Sequence, residues 1–236
     1  MLALDLSFSA PRVTPAWCAA RLEEGYKLAI AGLWTGRYAI DGAEHALRTW
    51  REAGGIPAAY LCIHDAAPLA LHIGRARAAA GEEWARLAFV AIDVEVEPVS
   101  ARTVRQACEL VEADGLRPII YTRRNFWRDH VGNDQTCARW PLWDASYGIP
   151  PALDVPGYGG WTLRTGHQYH DTQRVDGIDV DLNVFEQAWV REGLGPTREK
   201  EIQNLLDVTN GISAQLAEYS KQLADVRDIA ARLLRA

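Results

Sequence analysis

Apolar residues along roughly the first 185 positions fall into short strand-like runs, separated by stretches whose apolar residues recur at three- and four-residue steps. The runs at 2–7, 28–34, 57–63, 87–95, 117–122 and 140–145 predict strands, and those at 166–170 and 178–182 predict two shorter ones. Helical spacing predicts helices over 43–53, 69–80 and 100–113, with Ser100 as N-cap of the third; Gly54-Gly55 and Asp114-Gly115 stop two of them. Alternating strands and helices suit a parallel sheet with crossovers, either open or closed, and eight strand candidates favour the closed form. A Gly/Pro-rich stretch at 149–160 stands where a helix is due and predicts a loop. The expected architecture is therefore α/β: an irregular TIM-like β/α barrel with eight strands and fewer helices.

The last 40 positions follow another period. A seam of Ile202, Leu205, Thr209, Ile212, Leu216, Tyr219, Leu223, Val226, Ala230 and Leu233 advances by alternating steps of three and four. That spacing predicts a C-terminal coiled-coil helix that self-associates into a homo-oligomer; the competing expectation is a single amphipathic helix folded back on the body. The chain is thus read as a barrel over 1–192, a hinge over 193–197 and an oligomerisation helix over 198–236.

Composition narrows the function. The 236 residues carry 25 Lys+Arg against 31 Asp+Glu, a formal net charge of −6, which argues against an electrostatic grip on nucleic acid. No apolar run approaches the roughly 20 residues of a membrane span, and the opening MLALDLSFSAPR lacks the basic region of a signal peptide, so neither membrane association nor signal-directed export is expected. Nine tryptophans could stack on sugar rings, but they read first as core material. Neither G-x-G-x-x-G after the first strand nor G-x-x-x-x-G-K-[ST] occurs, so no cofactor is expected. Without G-x-S-x-G or a cysteine in an activating context, serine or cysteine hydrolysis has no support. Asp179-Val-Asp-Leu-Asn183 begins like a calcium loop, but Val184 occupies the glycine position and Val190 the glutamate position. His167 and His170 are three apart in a strand, hence on opposite faces, and no metal is expected.

The candidate chemistry is carboxylate chemistry. Phe89-Val-Ala-Ile-Asp-Val-Glu-Val-Glu97 is an apolar run ending in alternating acids. In a strand, Asp93 and Glu95 would share a face with Cα atoms about 6 to 7 Å apart. Carboxylates that close raise one another's pKa, so one can act as a general acid near neutral pH; the plainer reading is a strand end with solvated acids. Asp5 closes the first run and Asp181 lies in the last, and barrel closure would bring both to the same mouth. Four acids there could protonate a glycosidic oxygen or bind a divalent metal.

Several strings then resemble the glycoside hydrolase family 25 muramidases: Asp5-Leu-Ser7, Ala59-Tyr60, Ile92-Asp-Val-Glu95, Ile120-Tyr-Thr122, Pro141-Leu-Trp143, Gln168-Tyr169 and Val180-Asp-Leu-Asn-Val-Phe185. The resemblance covers about residues 1–190. It implies hydrolysis of the β-1,4 bond between N-acetylmuramic acid and N-acetylglucosamine in peptidoglycan, with Glu95 as general acid and Asp93 orienting the substrate acetamide. Asp5 and Asp181 would complete the acidic cluster. Tyr60, Tyr121 and Gln168 would line the sugar groove, with Trp143 as a stacking face. The chain departs from the family where Leu61 replaces a frequent histidine and His167 a frequent tryptophan, which predicts an altered cleft. The expected setting is a phage virion component or an endolysin acting on the bacterial wall, with other virion proteins as partners; the rival is a non-catalytic saccharide-binding tail protein on the same barrel.

Overall fold

The computed structural model describes residues 1–194 and, further along, Thr209, Ile212, Ser213, Leu216, Ala217, Tyr219, Ser220, Lys221, Leu223 and Arg227. Two compact units, Met1–Gly193 and Leu194–Ala236, make up the chain. Most of the expected coiled coil, and hinge residues 195–197, lie outside the described residues. Those described beyond 208 are helical, and the seam side chains of Ile212, Leu216, Tyr219 and Leu223 are exposed.

The first unit begins with β1 (Leu2–Asp5), a 3-10 turn at Ser7–Arg12 and α1 (Pro15–Glu23). Then come β2 (Tyr26–Trp34), α2 (Ala43–Glu52), β3 (Ile56–Cys62), α3 (Leu69–Ala80), a second 3-10 turn at Gly81–Arg86 and β4 (Val90–Asp93). The order continues with α4 (Ala101–Ala113), β5 (Pro118–Thr122), α5 (Arg124–His130), β6 (Leu142–Ala145), a hairpin of β7 (Asp154–Tyr158) and β8 (Trp161–Leu163), β9 (Gly166–Val175), β10 (Ile178–Phe185) and α6 (Gln187–Glu192). Eight strands close a barrel in the order β1-β10-β9-β6-β5-β4-β3-β2, as the sequence predicts.

Local chemistry accounts for the element ends. Ser100 caps α4 by accepting from the Thr103 amide at 3.3 Å, and Thr14 caps α1 by accepting from Trp17 at 3.2 Å, with Pro15 in the first turn. Three expectations need correction. The 149–160 stretch is not all loop, since it contributes β7 to a two-stranded hairpin with β8. The fourth strand ends at Asp93, so Glu95 lies beyond it rather than within it. The sheet is mixed, because β10 runs antiparallel to both of its neighbours.

That last feature places the site. Antiparallel pairing puts the early part of β10 at the barrel mouth, with Asp181 in register with Asp5 at the end of β1. Along each strand, side chains alternate between the barrel interior and the layer beneath the helices. Val90, Ile92, Leu61, Ile120 and Leu142 pack into that outer layer with Val104 and Ala107 of α4. Inside, an aromatic column fills the barrel: Tyr121 packs on Trp143 at 4.5 Å between centroids, Trp143 on Phe185 at 5.4 Å, Phe185 on Phe89 at 5.4 Å, and Phe89 on Trp189 of α6 at 5.2 Å. Eight of the nine tryptophans are buried, so they are chiefly core material.

Candidate active site

A cavity of about 120 Å³ opens at the mouth, lined by Asp5, Ser7, Tyr60, Asp93, Glu95, Tyr121, Trp143 and Asp181. All four predicted carboxylates meet there, with three of the four predicted groove residues. Gln168, the fourth, stands just behind. Its Oε1 accepts from the Tyr121 hydroxyl at 2.7 Å, and its Nε2 donates to Asp181 Oδ2 at 3.0 Å. Trp143 does not present a stacking face. It is 1% exposed, its indole N–H donates to Asn183 Oδ1 at 2.9 Å, and it forms the pit floor.

The acids are held differently. Asp5 Oδ1 accepts from the Ser7 amide at 3.0 Å and the Ser7 hydroxyl at 3.1 Å, and the Tyr60 hydroxyl donates to Ser7 Oγ at 3.3 Å. Asp181 Oδ1 accepts from the Thr172 amide at 2.7 Å. Asp93 Oδ1 is buried with no hydrogen-bond partner. An unpartnered buried oxygen tolerates negative charge poorly, which favours the protonated acid.

Burial and mutual repulsion move all four carboxyls in one direction. Asp5 is pushed up to about 8, first by desolvation and then by the charge on Asp181. Asp93 rises well above its ordinary value through burial and the neighbouring charges of Glu95 and Asp5. Glu95 is raised by burial, against the pull of the Arg123 guanidinium, and Asp181 is raised chiefly by burial. The four groups are coupled, so their protons titrate as a set rather than residue by residue.

The departures at Leu61 and His167 leave the pit untouched. Both side chains fall on the outward positions of their strands. Leu61 is buried in the helix-facing core, while His167 bonds to the Ser146 carbonyl at 2.8 Å and accepts from the Ala152 amide at 3.2 Å. Neither residue is among those lining the pit. His170 is exposed whereas His167 is buried.

Three residues escaped the sequence reading. Ser7 anchors Asp5 and was legible only as part of the first string. Tyr147, 45% exposed on the rim, donates from its hydroxyl to Gln168 Oε1 at 2.7 Å. Arg123, one residue beyond β5, acts on Glu95 through its charge.

The fold and the site together are a closed β/α barrel with four carboxylates at one mouth. Residues 70–178 match the family described as Glycosyl hydrolases family 25. The match includes Asp93, Glu95, Tyr121, Trp143 and Gln168; Asp5, Tyr60 and Asp181 lie outside it. A probable GH family 25 lysozyme of Dictyostelium discoideum is 32% identical over 88 residues, 36% of this chain and 18% of that protein. A second from the same organism is matched over 36% of its length, so the chain spans less than two fifths of either curated relative. Among solved structures, an endolysin superposes with a TM-score of 0.66 at 19% identity, covering 82% of this chain and 69% of its own. The bacterial lysozyme of Streptomyces coelicolor gives 0.65 at 20% identity, covering 84% and 97%. At those identities the structural likeness shows the fold.

Proposed function

We propose that the barrel is a muramidase that hydrolyses the β-1,4 bond between N-acetylmuramic acid and N-acetylglucosamine in peptidoglycan. The observation carrying this reading is the convergence of Asp5, Asp93, Glu95 and Asp181 on one small pit, each with its proton affinity raised. A carboxyl whose proton affinity is raised is better placed to hold a proton and deliver it to a leaving-group oxygen.

Glu95 is the general acid. It stands beyond the end of β4 and is half-buried. As the glycosidic C–O bond breaks, the Glu95 proton passes to the departing sugar oxygen. The muramic acid acetamide oxygen bonds to the anomeric carbon, and Asp93 orients that amide by accepting its N–H. Water then attacks the anomeric carbon, Glu95 takes back a proton, and the acetamide is released. Asp181 adds its charge to the burial that raises the proton affinity of Glu95, and Asp5 adjoins it in the same pit. Tyr60, Tyr121 and Tyr147 line the approach.

The C-terminal segment is a self-association element that presents several barrels together. Its support is the exposed Ile212, Leu216, Tyr219 and Leu223 on helical residues, at the alternating steps of a heptad seam. Several linked heads turn weak wall binding into avidity, a design suited to a phage particle or an endolysin acting on the bacterial wall.

The test is release of reducing ends from purified peptidoglycan by the wild-type protein and by Glu95→Gln, with mass spectrometry of borohydride-reduced fragments. Fragments ending in reduced muramic acid, lost by at least about a hundredfold in the variant, are expected. Binding to the wall without any release would leave a saccharide-binding protein instead.

A further inference from the structure

Beside the acidic pit lies a second, larger cavity of opposite character. It has a volume of about 320 Å³ and is lined by Arg123, Arg124, Asn125, Ser146, Ile149 and Arg164, with Asp144 and Ala145 beneath. Three of its eight lining residues are arginines and one is an acid, in a chain whose net charge is −6. Basic side chains gathered against the trend of the whole molecule make a local environment that favours an anion.

The pocket is built rather than incidental. Its floor is the buried pair Arg164–Asp144 at 2.7 Å, whose side chains are 3% and 4% exposed. The Tyr158 hydroxyl donates to the other Asp144 oxygen at 2.7 Å, and Arg164 also donates to the Asp154 carbonyl at 3.0 Å. Arg164 Nε, by contrast, is buried with no partner. Arg124 lies with its guanidinium 5.4 Å from the Tyr158 ring centroid, so the hairpin that carries Tyr158 also braces the wall. The hairpin, which takes the place of a regular barrel helix, thus supports two lining residues, Asp144 and Arg124, through Tyr158.

The position is equally specific. Arg123 follows the end of β5 and Ser146 the end of β6, at the same barrel end as Asp93 at the end of β4. Arg123 lines this cavity while its charge is felt at Glu95. A saccharide seated over the pit would therefore bring its ring substituents to the arginines.

We infer that this pocket is a subsite for a carboxylate on the substituent of the muramic acid ring, and that Arg123 and Arg124 determine specificity for it. The inference rests on the muramidase reading. Guanidinium groups suit a carboxylate because their paired N–H donors match its two oxygens. In an intact wall the carboxylates lie on the stem peptide, the lactyl group being tied up as an amide; once an amidase removes the stem, the lactyl carboxylate itself is free.

The test uses full-length Glu95→Gln protein, which removes the charge that Arg123 senses at position 95. Its binding to three purified saccharides of equal length is measured by calorimetry with and without Arg123→Gln and Arg124→Gln together. The three are stem-bearing glycan, the same glycan after amidase treatment, and chitooligosaccharide, which has no carboxylate. Loss of the two arginines is expected to weaken muramyl ligands about tenfold and leave chitooligosaccharide unchanged. Dependence confined to the stem-bearing ligand places the anion in the peptide; dependence confined to the treated ligand places it on the lactyl group. Added salt should weaken the muramyl ligands in the parent and barely affect them in the variant. Equal loss on all three ligands, or loss on none, overturns the inference. If the parent binds muramyl ligands with this arginine dependence but the wild-type protein cleaves no wall, the muramidase reading fails and the subsite stands.

Discussion

Replacing Asp5 by Asn tests the central electrostatic claim, that the pit holds carboxyls which resist ionisation. Asn keeps the size of the side chain and an oxygen to accept from Ser7, so the change removes charge more than structure. In the native protein Asp5 is raised from an ordinary 3.8 to about 8, by burial first and by Asp181 second. Between those two pH values the native state holds a proton that the unfolded state has lost. Unfolding free energy contributed by Asp5 is therefore intact below about pH 4 and falls as pH rises toward 8. At about 1.4 kcal/mol per pH unit, the window has an upper limit of about 6 kcal/mol.

Asp181 and Glu95 share the burden, since each ionises more easily once Asp5 is neutral, so the observed difference will be a fraction of that limit. His72 works the other way. Burial and His64 hold it neutral, so its contribution is lost on acidification. For that reason the quantity to read is the difference between variant and wild type in urea unfolding at pH 4, 6 and 8.5. Asp5→Asn should match or trail the wild type at pH 4 and exceed it by several kcal/mol at pH 8.5. A difference that stays flat with pH, or one that grows toward acid, would refute the account of the pit.

Two other changes probe the supports of the site. Gly32 on β2 has no room for a side chain: an added Cβ would lie 2.5 Å from both the Tyr60 hydroxyl and Ile40 Cδ1. Gly32→Ala should lower stability by about 1 to 3 kcal/mol and reduce turnover by displacing Tyr60, which thermal melts and wall-release assays would register together; an unchanged melt and rate would show that Tyr60 can move freely. Deleting the segment after Gly195 should leave a folded, monomeric barrel by light scattering, and an unchanged mass ratio would rule out the tail as the associating element.

The fold was legible because its signals are local. Apolar runs bounded by Gly and Pro located all eight barrel strands, and a serine before a helical spacing located the start of α4. The four acids were legible as strand-end residues once a barrel was assumed, although Glu95 proved to stand past its strand. What was not legible depends on closure. The reversal of β10 is a pairing choice between distant segments, and it alone sets Asp181 opposite Asp5. The hairpin of β7 and β8 has a Gly/Pro-rich composition that reads as loop, yet it is fixed by contacts such as Trp161 donating to the Trp140 carbonyl at 2.8 Å. The short helix α5 spans too few residues for its spacing to show. Arg164 and Asp144 are 20 positions apart and form a pair only through the sheet. Outward and inward alternation also explains why Leu61 and His167, read from the chain as cleft changes, face the outer layer.

The two adjoining charge environments lead to one further consequence. Glu95 is raised by burial and by Asp181 and lowered by Arg123, so its proton affinity reflects a balance rather than a single cause. An anion bound in the neighbouring pocket would offset the Arg123 charge and tip that balance toward the protonated acid. Substrate binding and readiness of the acid would then be coupled through one side chain. The pH dependence of kcat reports the bound enzyme and that of kcat/KM the free enzyme. With a muramyl substrate, the basic limb of kcat should lie at higher pH than that of kcat/KM. In Arg123→Gln the basic limb of kcat/KM should move up, because the free enzyme has lost the charge that favours ionised Glu95, and the gap between the two limbs should close. Coincident limbs in the wild type, or a gap that survives the substitution, would show that Arg123 serves binding without tuning the acid.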